Sequence, residues 1–195
     1  MLLRATVWRG ANPVRTCRSR LIHSFSVIPA DAISGKVNYV KKSFDNDKAD
    51  LEKANLTRPT SLTILKDGEN TGINFSGIPG GHEFNSFILA VLGLAGLGKK
   101  LEGEQLSKVE SVNKPVNIET FISLSCTHCP DVVQALNLIS TNNKNITTTM
   151  VDSAVFFEEA KEKDIQAVPV VFINGEQKSV GAKTIEELIT LVTNA

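Results

Sequence analysis

The sequence predicts an α/β protein, and three observations carry that reading. An apolar run, Val116 to Leu124, leads into Cys126-Thr127-His128-Cys129, and a helical apolar pattern, Asp131 to Ile139, leads out of it. Ile146 to Val151 is rich in β-branched residues and reads as a second strand. About forty residues after the cysteine pair, Ala167-Val168-Pro169 opens a third apolar run that ends in the hairpin signal Asn174-Gly175.

The remaining elements follow in order from Val116. Pro130 sits in the first turn of the helix Pro130 to Ser140, where its missing N–H has no helical partner to lose. Asn142-Asn143-Lys144-Asn145 makes a turn into the strand Ile146 to Val151, and Ala154 to Lys163 reads as a short helix. Pro169 to Ile173 and Gln177 to Val180 form an antiparallel hairpin. Pro169 opens its strand because a proline cannot donate to the ladder, and strand-opening prolines with a cis bond are usually deliberate features. Thr184, with Glu187 three residues on, forms a capping box for a last helix whose stripe is Ile185, Leu188, Ile189 and Val192. The order βαβαββα over residues 116–195 is thioredoxin-like.

Residues 37–97 read as a partial copy without a Cys-x-x-Cys. Val37 to Phe44 is a strand, and the charged stretch Asp45 to Asn55 is a loop or frayed helix. Arg58-Pro59 precedes a strand at Ser61 to Leu65, Asp67-Gly68 turns into Thr71 to Phe75, and Glu83 to Leu94 is an apolar helix. Residues 98–115 form a partly helical connection. Residues 1–36 do not supply the opening strand on composition. They carry Arg4, Arg9, Arg15, Arg18 and Arg20 and no acid before Asp31, which fits a transit peptide, a disordered tail or a misassigned start. Trp8, the only tryptophan, lies there, so the core is expected not to depend on it. Cys17 is read as incidental.

Bulk properties narrow the function. With 21 basic and 21 acidic residues among 195, the formal net charge is zero and no nucleic-acid surface is indicated. The longest apolar run, Phe87 to Leu97, is too short for a bilayer and is broken by Gly93 and Gly96. Three cysteines with one close pair fit a reducing compartment such as the cytoplasm rather than a secreted disulfide framework; a genuine transit peptide would instead mean a mitochondrion or other organelle. Gly93-Leu94-Ala95-Gly96-Leu97-Gly98-Lys99-Lys100 fits G-x4-G-K, but a helix precedes it and no Ser or Thr follows, so it reads as a helix C-terminus and not a phosphate loop. No G-x-G-x-x-G follows a strand, so no flavin or nicotinamide site is expected on this chain.

The cysteine pair admits three readings. Structural zinc normally takes four ligands, yet Cys17 is far away, His128 lies inside the pair, and His23 and His82 show no ligand spacing. Two inert core cysteines are a second reading. A redox dithiol is the favoured one: unpaired N–H groups and the dipole at a helix start favour a thiolate at Cys126, and a thiolate attacks disulfides. His128, between the sulfurs, is placed to stabilise that thiolate when protonated. Glu83, read from sequence alone, is a surface or capping glutamate.

Two segments add a resemblance. Gly80-Gly81-His82-Glu83-Phe84, and the run from Ser123 through Cys126-Thr127-His128-Cys129-Pro130-Asp131 to Asn137, strongly resemble the N-terminal domain of the flavoprotein subunit of bacterial alkyl hydroperoxide reductase. The likeness runs from about residue 60 to the end. In that family the domain passes electrons from a thioredoxin-reductase-like part that binds FAD and NADH to a peroxiredoxin. The resemblance implies Cys126 as the attacking thiol, Cys129 as its resolving partner and Glu83 as an acid/base group contributed by the inactive unit, with His128, Pro130, Val168 and Pro169 in support. The flavin and nicotinamide part has no counterpart here, so FAD and NADH are expected on a partner or on a missing C-terminal part, and the chain is either a stand-alone carrier or a fragment. A thiol-protein binding module using the groove between the units, and a glutaredoxin-like enzyme acting on glutathione adducts, are the alternatives.

Overall fold

A computed structural model describes residues 3–9, 37–43, 45–47, 49, 51–52 and 56–195. Among the described residues, eight strands form one sheet: β1 (Leu3–Arg9), β2 (Val37–Ser43), β3 (Ser61–Lys66), β4 (Glu69–Ser76), β5 (Val116–Ile122), β6 (Ile146–Asp152), β7 (Val170–Ile173) and β8 (Glu176–Val180). The helices described from end to end are α1 (Glu83–Leu94), α2 (Gly103–Glu110), α3 (Cys129–Thr141), α4 (Phe157–Glu162) and α5 (Ile185–Thr193).

The strand order is β2-β1-β3-β4-β6-β5-β7-β8. It contains one pattern twice. β1 lies parallel to β2 and antiparallel to β3, as β5 lies parallel to β6 and antiparallel to β7. In each unit a last antiparallel strand, β4 or β8, follows. β4 then pairs parallel with β6, from Ile73 opposite Thr148 to Ser76 opposite Val151, and joins the two units into one thioredoxin-like sheet.

This order corrects the expectation that residues 1–36 do not supply the opening strand of the first unit; residues 10–36 lie outside the described residues. Leu3–Arg9 is an interior strand of the sheet, between β2 and β3. Trp8 is 1% exposed and packs with Leu51 and Leu56, contrary to the expectation that the core does not use it. The physical reason is alternation. Leu3 and Ala5 face one core cluster and Trp8 another, which is the period of a strand buried on both faces. Seven residues are too few for that period to stand out beside two arginines. Cys17 and His23 lie outside the described residues.

Local chemistry accounts for the other elements. In β5, Ile118 and Ile122 face the α1–α3 side, while Phe121 faces the opposite layer with Phe172 and Ala160. The capping box of α5 forms: Thr184 N–H donates to Glu187 Oε2 at 2.8 Å, and Glu187 N–H donates to Thr184 Oγ1 at 3.3 Å. The connection between the units holds α2, whose Val109 is fully buried.

Two contacts hold the units in register. One cluster takes Ile73 and Phe75 of β4, Phe87 and Ala90 of α1, Ile122 of β5 and Val133 of α3, so the helix after the cysteine pair packs on the helix of the first unit. Phe75 and Phe87 meet edge to face, with centroids 5.9 Å apart. On the opposite layer, Arg58 donates to Glu119 at 2.6 Å and from Nε to Glu159 at 2.7 Å. That fork ties the segment before β3 to β5 and α4.

Candidate active site

The site is built where β5 stops and α3 begins. Cys126 N–H donates to Ser123 O at 3.0 Å, closing a turn just past the strand. Cys129 is the first residue of α3, and its N–H donates to Cys126 Sγ at 3.2 Å. An orphan donor of the helix start is thus aimed at the sulfur. Both thiols are free. Cys126 is partly exposed, whereas Cys129 is 0% exposed. One sulfur is reachable from outside and the other is not.

The hairpin flanks the pair. The Val168–Pro169 peptide is cis, and Val168 O accepts from the Cys126 thiol at a long 3.9 Å. The Ala-Val-Pro signal and the Cys-x-x-Cys therefore meet in space. Pro130 falls in the first turn of α3. His128 is the N-cap residue of α3, is exposed, and makes no side-chain capping bond.

The first unit supplies a carboxyl group. Glu83 opens α1 and is 0% exposed. Neither of its carboxylate oxygens meets a donor at good hydrogen-bond geometry, and the Ser86 hydroxyl is the donor near it. Burial pushes its pKa up to about 7, the Asp131 charge adds to the rise, and the nearby Ser86 hydroxyl opposes it in part. The capping-glutamate reading does not hold, because this side chain is sealed in. Burial also pushes the Cys129 thiol well above its ordinary value; the Cys126 sulfur and the Glu83 charge add to the rise, against a backbone hydrogen bond from Ser123. Cys129 and Glu83 therefore lie within electrostatic reach of one another across the unit boundary.

Gly81, Leu124 and Asp131 complete the arrangement and were not singled out for this role by sequence reasoning. Gly81 adopts φ +52°, and a Cβ on it would lie 2.5 Å from Leu124 O. The next residue, His82, donates its N–H to that same oxygen at 3.2 Å. The Gly80-Gly81 pair thus lets the start of α1 press against the turn that carries Cys126. Adjacent glycines before an acid were the visible signal; the neighbour they approach was not. Among the described residues, no group of three or more His, Cys, Asp or Glu side chains could hold a metal ion.

Comparison with known proteins agrees with this geometry. Residues 116–193 match the model of a thioredoxin domain family. The chain is 47% identical over 139 residues to a protein named NADH dehydrogenase from Ferdinandcohnia aciditolerans, a match spanning 71% of this chain and 27% of that protein. It is 45% identical over 140 residues to the F subunit of alkyl hydroperoxide reductase of Staphylococcus epidermidis, spanning 72% of this chain and 27% of that one. The matches thus cover about a quarter of these curated relatives. Among solved structures, the NTD_N/C domain of alkylhydroperoxide reductase AhpF from Enterococcus faecalis is similar at a TM-score of 0.87 and 33% identity, covering 98% of this chain and 90% of that one.

Proposed function

Since this chain belongs to the family of N-terminal domains of the flavoprotein subunit of alkyl hydroperoxide reductase, we propose that it is a dithiol–disulfide electron carrier. It passes reducing equivalents from a thioredoxin-reductase-like flavoprotein to a peroxiredoxin through Cys126 and Cys129. FAD and NADH belong to that flavoprotein, whether it is a separate protein or a further part of a longer chain. The observation that carries the reading is the asymmetry of the pair: a reachable Cys126 sulfur, held by the helix-start N–H at 3.2 Å, beside a fully buried Cys129.

The chemistry runs in two exchanges. The Cys126 thiolate attacks a sulfur of the partner's disulfide; that S–S bond breaks, a mixed disulfide forms, and the partner's other sulfur leaves as thiolate. Cys129 then loses its proton and attacks Cys126. The intramolecular disulfide forms, the partner's remaining sulfur departs, and the partner has gained two electrons. With its thiol raised by burial, Cys129 does not ionise readily on its own. Glu83, buried and with a pKa near neutrality, is suited to take that proton. Reduction by the flavoprotein reverses these steps.

The test is peroxide-dependent NADH oxidation with a thioredoxin-reductase-type flavoprotein and a peroxiredoxin. Cys126→Ser is expected to abolish turnover. Full turnover with that variant overturns the proposal.

A further inference from the structure

A cleft of about 500 Å³ opens between α1, residues 98–101, α3 and the start of α5. That volume falls within the range that takes small molecules. Its walls include Leu89, Ala90, Leu101 and Leu138, and Leu89 stays 39% exposed there.

The Gly93-to-Lys100 run that resembles a phosphate loop ends up in this cleft. A Cβ on Gly93 would meet no atom within 4 Å, so glycine at this wall leaves open space that any other residue would occupy. A Cβ on Gly98 would lie 2.8 Å from the Gly93 Cα, so the chain folds back closely on the end of α1. That return brings Lys99 and Lys100 to the cleft, both exposed and neither in an ion pair among the described residues. Lys183 also lines it, 3.5 Å from Glu187, and Asp131 is the one acid among the lining residues. The wall is apolar and the charge is net positive.

Asn137 is a buried polar residue in the cleft wall. It lines the cleft, is 4% exposed, and its Nδ2 has no hydrogen-bond partner. Its position makes it a reporter of any molecule that enters the cleft.

We propose that this cleft binds a small amphipathic carboxylate, its apolar body against Leu89, Ala90 and Leu138 and its charge met by Lys99 and Lys100. The inference stands apart from the electron-carrier reading, because Leu89, Ala90, Leu138, Lys99 and Lys100 take no part in the thiol exchange.

The test is titration of the full reduced chain with octanoate, followed by calorimetry and by the side-chain amide signal of Asn137. 1-Octanol and octyltrimethylammonium are the neutral and cationic controls. Octanoate is expected to bind saturably and to move the Asn137 signal, with both controls at least tenfold weaker. The exposed double variant Lys99→Glu/Lys100→Glu should lose at least tenfold in affinity. Gly93→Phe, whose side chain fills the open space, should abolish binding while keeping the native circular dichroism. No saturable binding, equal binding of the controls, or undiminished binding by either variant overturns the inference.

Discussion

Glu83→Gln tests how the buried carboxyl group couples stability to pH. The Glu83 pKa stands at about 7 in the folded protein against an ordinary 4.5, chiefly through burial. An acid whose folded pKa is raised is neutral in both states below about 4.5, so it carries no penalty there. Between the two values the unfolded chain ionises and the folded one does not, so stability falls as pH rises. Above about 7 both states are ionised and the loss levels off. At about 1.4 kcal/mol per pH unit, the full loss is on the order of 3 kcal/mol. Since Glu83 is 0% exposed, solvent does not screen it. Urea unfolding of the reduced protein and of Glu83→Gln, each at pH 4.5, 6 and 8, measures this directly. Asp152, also raised by burial, contributes in the same direction to both proteins and cancels in the comparison. The expected result is a wild-type loss about 3 kcal/mol larger than that of the variant between the extremes. Equal pH dependence in the two proteins refutes the assignment of a raised pKa to this carboxyl group.

Three further outcomes follow from the same geometry. Alkylation of the native reduced protein by iodoacetamide, mapped by peptide, is expected at Cys126 and not at Cys129, which is 0% exposed; labelling of both at similar rates contradicts the site. Gly81→Ala places a Cβ 2.5 Å from Leu124 O at a positive φ, so it should cost at least about 2 kcal/mol in urea unfolding and slow disulfide exchange. Unchanged values for both would mean that the start of α1 does not press on the cysteine turn. Trp8→Ala should cost about 3–5 kcal/mol, and wild-type tryptophan fluorescence, which comes from Trp8 alone, should shift to the red in the unfolding transition; emission already solvent-like in the native state contradicts a buried β1.

Reading along the chain recovered what depends on near neighbours. A strand running into Cys-x-x-Cys and then a helix, a proline opening the β7 hairpin and the Thr184–Glu187 capping box each lie within a few residues, where period and spacing express the physics directly. β1 escaped because its alternation spans only Leu3–Arg9 and its partners, β2 and β3, begin at residues 37 and 61. The site escaped in the same way. Nothing local distinguishes a buried Glu83 from a solvated one at a helix start; its burial comes from α1 packing on α3 and from Gly81 pressing on Leu124.

The linear order of residues was enough to place two sulfurs at a helix mouth, because a helix start and its unpaired N–H groups are local objects. Only the joining of β4 to β6 brought the unit that carries Glu83 against the unit that carries Cys129, and both side chains are shut away from water. Desolvation depends on everything that surrounds a group in three dimensions, and the cluster that buries Cys129 draws on β1, β3, β4 and α1, which are distant in sequence.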